Sequence, residues 1–462
     1  MTATAHNPTV ILVQVVQRSF RSWFPGLLLC LACAGGPFVS AQEPLPEAQH
    51  PAPVAPADSG DRVVTPEEVR KQTNAGGVPF FRALSWPGRK VASGMEKGLI
   101  RFERHHLREK LRMWQEDLRR RGIEGSFGGA GEQTGLGVGG SYTARFSEKQ
   151  ALRFLGRITS LNYQEFDVRW QAALPASELS FEGSYQWRPQ ENFYGIGHDS
   201  LRSQHADFAL RQTWTGVHFD LHPVKWFQWG AMYRLMWLRA QPGESSSTVS
   251  VEHYFPNLAG FRTQTSMQST GTYIDLQYLP EEYKLGGMLH LGASHQNGLG
   301  RNKLDYFNYE VQLEGRKPIA GRGVLVAEGN LQLNRERHGS DPIPFYLLAH
   351  AGGSSTLRGF SLDRFYGRSL ALVSLEYRYK IHPNIQAYPF FDEGQIFNSV
   401  KDVSWTNWHR NYGLGFRLRT ARSTVLRIEY GKSSEGSHFH IIFGDRERPP
   451  LSAPVRYGVY KR

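Results

Sequence analysis

From Gly122 onward the chain alternates apolar and polar residues with a period of two, broken at intervals by Gly, Pro and Asn. Phe307, Tyr309, Val311 and Leu313 fall on one face, with Asn308, Glu310, Gln312, Glu314 and Arg316 on the other. Leu325, Ala327, Gly329, Leu331 and Leu333 oppose Val326, Glu328, Asn330, Gln332 and Asn334, and Tyr412, Leu414, Phe416 and Leu418 oppose Gly413, Gly415, Arg417 and Arg419. Successive side chains of a strand point to opposite faces, so each segment predicts a strand with one greasy and one wet side. A soluble sandwich alternates in the same way. Aromatic placement separates the two environments. One face of Val224 to Leu238 reads Phe227, Trp229, Ala231, Tyr233, Leu235, Trp237. The two tryptophans are roughly 26 Å apart along a strand, or about 20 Å in depth once the strand is tilted, which matches two aromatic girdles around a hydrocarbon slab. Lipid cannot satisfy backbone groups, so strands placed there must close without edges. The expected fold class is all-β: a closed antiparallel transmembrane β-barrel over residues 123–444, with about sixteen strands, an even number that returns both ends to one side. His382-Pro383-Asn384 reads as a short periplasmic turn, and Arg239 to Thr265 and Asn334 to Arg368 as long outer loops.

Upstream the period changes. Ser93 and Glu96 form a capping box, and Met95, Leu99, Phe102, Leu107, Leu111, Trp114 and Leu118 recur near helical spacing up to Gly122. The other face carries Lys97, Arg101, Arg104, Arg108, Arg112, Arg119 and Arg120. Residues 93–122 therefore predict a short amphipathic periplasmic helix, either lying in a membrane interface or packed on a soluble neighbour. Residues 42–92 read as a disordered linker, rich in Pro and Ala. Residues 1–41 read as an export signal, with Arg18 and Arg21, an apolar centre Leu27 to Ala34, and the small-residue exit Val39-Ser40-Ala41. Residues 445–462 form a polar tail.

Composition narrows the class. The chain has 48 Gly, 20 Tyr, 27 Phe and 11 Trp but only 40% hydrophobic residues, with a mean hydropathy of −0.46. Beyond the N-terminus no window holds the roughly 18 apolar residues a transmembrane helix needs, which excludes a helical membrane protein. The net charge of +12 would suit a polyanion, but export argues against nucleic acid, and the charge is assigned to loops and interior facing acidic headgroups or an acidic substrate. Both cysteines, Cys30 and Cys33, lie within the export signal, so the mature chain carries no thiol. Neither has a Leu at minus three together with a small residue at minus one, as lipoprotein cleavage would require.

The segment with the most chemistry is Gly352-Gly353-Ser354-Ser355-Thr356-Leu357-Arg358-Gly359-Phe360. A guanidinium never deprotonates and is costly to desolvate alone, so an Arg on a loop folded into a barrel needs acidic partners. Glu376 shares a face with Ser374 and Arg378, and Asp392 shares one with Gln386; both carboxylates are expected to point inward. Arg358 is then expected to pin the loop against Glu376 and Asp392, with Gly352, Gly353 and Gly359 permitting the turns. The plainer alternative is a loop in water with an ordinary Arg.

The succession of that loop, Leu372-Val373-Ser374-Leu375-Glu376-Tyr377-Arg378, and Phe390-Phe391-Asp392-Glu393-Gly394 resembles the C-terminal half of the BamA/TamA outer-membrane assembly superfamily, the bacterial surface antigen family. Phe193-Tyr194-Gly195-Ile196-Gly197-His198-Asp199 resembles the family's turn in the first half of the barrel. The resemblance implies a bacterial outer-membrane location with the N-terminal arm in the periplasm. It also implies a role in inserting or translocating protein or lipid through a barrel seam, with Arg358, Gly359 and Phe360 at the tip of the sixth outer loop. Phe439, Ile441 and Phe443, facing outward, resemble the family's C-terminal targeting strand. Two departures stand out. Family barrels commonly stop at a terminal aromatic, whereas this chain continues through 445–462, and residues 42–122 do not fit the periplasmic domains of assembly factors.

Gly128, Gly129, Gly131, Gly135, Gly137, Gly139 and Gly140 would weaken strand pairing near the first strands. Elsewhere the chemistry is sparse. His438 and His440 lack a third metal ligand, His105 and His106 sit on the basic helix, and Ser354 and Ser355 have no nucleophile elbow or base. No catalytic site, metal or cofactor is expected, and the chain is not expected to be an enzyme. The expected partners are outer-membrane lipid and, through the helix 93–122, a periplasmic or outer-membrane protein. A solute-conducting pore and a passive structural anchor stand as alternatives to the insertion or translocation barrel.

Overall fold

The computed structural model describes residues 117–443, apart from 119, 128–131, 280–283, 320–322, 383, 405 and 420–423. The expected export signal 1–41, the linker 42–92, most of the helix 93–122 and the tail 445–462 lie outside the described residues; Asp117, Leu118 and Arg120 are helical.

Among the described residues sixteen strands of five residues or more follow one another: β1 (Ile123–Phe127), β2 (Gly137–Arg145), β3 (Gln150–Thr159), β4 (Gln164–Leu174), β5 (Ser177–Phe193), β6 (Ala206–Val224), β7 (Phe227–Pro242), β8 (Gln264–Tyr278), β9 (Gly286–Gly298), β10 (Asp305–Ile319), β11 (Gly323–Glu336), β12 (Ser369–His382), β13 (Ile385–Phe397), β14 (His409–Arg419), β15 (Thr424–Ser433) and β16 (Gly436–Phe443). Each pairs antiparallel with the next, so the chain is a continuous meander. A two-residue strand, Val249–Ser250, adds in parallel beside β6, giving a 17-stranded sheet. The longest connections gather at one end of the sheet. One end has tight turns such as 146–149, 175–176 and 225–226, and the other carries 194–205, 243–263, 337–368 and 398–408. Among the described residues no ladder joins β1 to β16.

The polarity of the sheet is inverted relative to a soluble protein. On β10 the polar Asn308 and Glu310 are 5% and 3% exposed, whereas Phe166, Tyr412 and Phe439 on the opposite face of their strands are 51%, 59% and 61% exposed. Large apolar side chains on an open surface and carboxylates inside are unfavourable in water, and this pattern is the one a hydrocarbon surround selects.

The inner face is not polar along its whole length, which corrects the expectation of an ionic interior. Toward the long-loop end Phe193, Phe208, Met236, Leu238, Phe345 and Tyr366 form a buried apolar cluster. Phe345 meets Phe193 and Phe208 edge-on at 5.1 and 4.7 Å between centroids. The reason is the loop 337–368, which brings its own apolar residues against the strands and expels water there. Alternation in a single strand cannot report a face that is apolar because a distant loop covers it.

Candidate functional site: a buried arginine at the tip of the loop 337–368

The site is built from three ladder rows crossing β12 to β16. Ser374 pairs with Asp392 and Asp392 with Asn411; Glu376 pairs with Phe390 and Phe390 with Gly413; Tyr388 pairs with Gly415, Gly415 with Glu429, and Glu429 with His440. The period of two puts all of these side chains on the inner face, and register alone therefore gathers Glu376, Asp392 and Glu429 into one patch. Gly413 and Gly431 flatten the wall. A Cβ at Gly413 would lie 2.3 Å from the Phe390 ring, and one at Gly431 would lie 2.5 Å from the Arg358 carbonyl oxygen. Ring and loop backbone occupy the space those side chains would fill.

Into this patch the loop inserts Arg358, which is 1% exposed. Its Nε and Nη2 donate to the two oxygens of Asp392 at 2.8 and 2.6 Å, and Nη1 donates to Glu376 at 2.6 Å and to Glu429 at 3.1 Å. Nη2 also donates to Ser374 Oγ at 3.1 Å, and the guanidinium stacks 3.5 Å above the centre of the Phe390 ring. The planar fork matches a carboxylate bidentately, which a lysine cannot do. The carboxylates are themselves held. Ser374 and Asn411 donate to Asp392 at 2.7 and 2.9 Å, Arg378 to Glu376 at 2.7 Å, and Tyr388 to Glu429 at 2.8 Å. Arg417 and Arg427 stand 3.4 Å from Glu376 and Glu429 respectively.

The loop backbone is fixed on both sides of the arginine. Gly352 and Gly353 have φ of +126° and +86°, the region that favours glycine, and Thr356 Oγ1 accepts from the Gly352 N–H at 2.8 Å, closing the turn. Gly359 lies against β14 and β15, where its added Cβ would be 2.5 Å from Asn411 Cβ and 2.9 Å from the Lys432 carbonyl carbon. Its carbonyl accepts from Ser433 at 2.6 Å. Phe360 is 1% exposed and packs with Leu357, Phe365, Leu370, Leu372 and Ile396. Phe439, Ile441 and Phe443 lie on the opposite, outward face of β16, apart from this site.

Three parts of the arrangement were not read from the sequence. Glu429 is one. Alternation in Leu426, Ile428 and Tyr430 against Arg427 and Glu429 carried the same signal as Glu376, without a motif to single it out. A second is the tie between the loop and both edges of the sheet. His440 on β16 places Nε2 2.8 Å from the Arg358 carbonyl and Nδ1 2.8 Å from Glu132, which lies between β1 and β2. Glu132 also accepts from the Ser354 N–H at 2.6 Å. Burial by itself would raise the Glu132 carboxyl, but the bonds and charge from His440 and Ser354 outweigh it and hold the group below its ordinary range. The third is Arg364. It donates to both oxygens of Glu435 at 2.8 Å and to Ser200 Oγ and carbonyl at 2.7 Å, and it lies 5.0 Å from the Tyr194 ring centre. It thus clamps the loop to the β15–β16 turn and to the Phe193–Asp199 turn, whose Gly197 N–H donates to Tyr366 O at 2.7 Å. No cluster of metal ligands is found among the described residues.

Residues 247–445 match the Omp85 superfamily domain model. Among solved structures, the chain is similar to BamA from Haemophilus ducreyi lacking POTRA domains 1–3, with 14% identity and a TM-score of 0.52 over 72% of this chain and 76% of that one. CdiB from Escherichia coli also aligns, at 12% identity and a TM-score of 0.47, over 70% of this chain and 61% of that one. No curated protein matches the sequence. The motif loop 337–368, its acceptors on β12, β13 and β15, and its contact with β16 all fall inside the span that matches the Omp85 superfamily domain model.

Proposed function

We propose that the chain is an outer-membrane β-barrel, closed between β1 and β16, that inserts or translocates outer-membrane protein or lipid at that seam, with Arg358 latching the loop 337–368 across it. Omp85-family β-barrels are outer-membrane proteins, and the inverted polarity of the sheet fits a hydrocarbon surround. The observation that carries the seam reading is that one loop tip holds both edges of the sheet, through His440 on β16 and Glu132 beside β1. A seam that has to part needs a restraint separate from its backbone ladder, and buried charged contacts supply one that can be broken as a unit. The apolar cluster beneath the loop argues against a permanently open solute path.

The test is a Gly125→Cys, Ile441→Cys pair in the exported chain, reconstituted in liposomes and assayed for insertion of an unfolded outer-membrane barrel. Oxidation is expected to abolish insertion and reduction to restore it, with a heat-resistant fold in both states. Undiminished insertion by the oxidised form would overturn the seam reading. Steady planar-bilayer conductance without insertion would favour the pore, and neither activity the passive anchor. A purified chain that stays soluble and monomeric without detergent would remove the membrane reading altogether.

A further inference from the structure

Toward the long-loop end of β5 to β8, one row of the outward face carries Trp187, Arg211, Arg239 and Gln264, each directly opposite the next across the ladder. Alternation fixes the orientation. Arg211 and Arg239 are exposed, while their chain neighbours Leu210, Gln212, Leu238 and Ala240 are buried on the inner face. Directly opposed residues of an antiparallel pair hold their Cβ atoms about 5 Å apart, and like charges placed there destabilise the pairing. A guanidinium cannot shed its proton, so the two arginines repel each other permanently.

Among the described residues nothing relieves that repulsion. Neither guanidinium has a hydrogen bond or an ion pair, and Arg211 lies over the Trp187 ring, 5.2 Å from its centre. The outward rows on either side hold Tyr185, Thr213, Trp237 and Ser266 in one direction and Ala209 and Gln241 in the other, without a carboxylate. On the neighbouring loop Glu252 is taken by Arg262 at 2.7 Å, and Glu244 is exposed and forms no ion pair among the described residues. Elsewhere at the same end Arg337, Arg368 and Arg410 each have a carboxylate, at 3.2, 2.9 and 3.3 Å. The opposed pair departs from that arrangement. Arg239 stands two residues beyond Trp237, about 7 Å further along the strand, which places the pair just outside the aromatic row bounding the hydrocarbon, at headgroup depth. The negative charge available at that depth is lipid phosphate. A guanidinium fork matches phosphate oxygens, so a phosphate between the two arginines replaces a repulsion by two charge-assisted contacts. Gln264 ends the row with a neutral amide that can donate to the same headgroup.

We propose that this row is a lipid-phosphate site, in which one headgroup phosphate of a phosphorylated lipid in the adjoining leaflet bridges Arg211 and Arg239. The inference rests on the membrane-embedded reading above. The experiment is native mass spectrometry of the exported chain in detergent, with diphosphoryl lipid A and its dephosphorylated disaccharide supplied in equal amounts. The wild type is expected to retain one phosphorylated lipid in preference to the dephosphorylated one. Arg239→Gln is expected to weaken that retention roughly fivefold, and Arg211→Gln with Arg239→Gln roughly thirtyfold. Arg211→Lys with Arg239→Lys, which keeps the charge and loses the fork, should fall between the double glutamine variant and wild type. The lipid-free protein gives a second readout. Relief of the repulsion in Arg239→Gln should leave its heat-resistant mobility unchanged or improved, whereas an arginine that served only the fold would lower it. Equal retention of the two lipids by the wild type, unchanged retention by the double glutamine variant, a lowered heat resistance of lipid-free Arg239→Gln, or retention of inorganic phosphate without lipid would overturn the proposal while leaving the embedding intact. A chain that stays soluble and monomeric without detergent would count against the embedding instead.

Discussion

Removing the Arg358 side chain is the most direct perturbation of the site. Arg358→Ala leaves Glu376, Asp392 and Glu429, each at most 3% exposed, without the cation that all three share. Arg378, Arg417 and Arg427 continue to offset Glu376 and Glu429, and Asp392 keeps its bonds from Ser374 and Asn411, so the loss is less than three isolated charges would give. Breaking a buried pair by deleting one partner costs about 3–5 kcal/mol. For a chain of this size that is a fall of roughly 5–15 °C in apparent melting temperature. The assay is loss of heat-resistant mobility on a temperature series, with limited proteolysis of 337–368 alongside. Arg358→Lys should fall between variant and wild type, since an ammonium keeps the charge and loses the fork. Arg358→Met combined with Asp392→Asn should recover part of the loss, because it also neutralises the carboxylate that paired bidentately with the arginine, while Glu376 and Glu429 keep Arg378, Arg417 and Arg427. An Arg358→Ala protein that melts within about 2 °C of wild type with an unchanged protease pattern would refute the reasoning, and the arginine would be ordinary.

Two further outcomes follow from the loop's surroundings. Gly359→Ala forces a Cβ to within 2.5 Å of Asn411 and 2.9 Å of the β15 backbone, and should destabilise the loop by about 1–3 kcal/mol, read as faster proteolysis; Gly329→Ala, whose Cβ position meets nothing within 4 Å and whose backbone is an ordinary strand, gives a control for general glycine loss. The Glu132 carboxyl is held below its ordinary value of 4.5, so its contribution is complete above that pH and is lost as pH falls below it. Loop protection should therefore weaken on acidification past that point, and Glu132→Gln should flatten this part of the profile; an unchanged profile in the variant would assign the dependence to other groups.

Much of the inner face was legible in the sequence and some of it was not, for physical reasons. Alternation placed Glu376 and Asp392 on one side of their strands because a strand's faces are fixed by its period. The same rule applied to Glu429, but a carboxylate 71 residues from Arg358 has no local sign of its partner. Glu132 is further still, 222 residues from Ser354, and meets it only because the sheet brings its first hairpin and its sixteenth strand to the same loop. The apolar cluster around Phe345 escaped for the converse reason. Phe208, Leu210, Met236 and Leu238 are buried with Phe345, and only the loop's return explains why apolar side chains occupy the inner face there.

Arg358 and Arg364 lie six residues apart on one loop, and both reach the same β15–β16 hairpin, one through Glu429 on β15 and the other through Glu435 in its turn. If the loop seats as a rigid unit, losing either contact lets the other relax, and the two are energetically coupled. A double-mutant cycle over Arg358→Ala and Arg364→Ala measures this, since contacts sharing a structural unit show interaction energies of about 0.5–3 kcal/mol, whereas independent sites add to within about 0.5 kcal/mol. Arg364→Ala alone should cost less than Arg358→Ala, because its main acceptor Glu435 remains 22% exposed and can be rehydrated. Coupling would mean that the hairpin carrying the last strand cannot move without releasing the loop at both depths. Strict additivity would mean that each arginine holds its own neighbourhood, and the loop could then not act as a single restraint on the edge of the sheet.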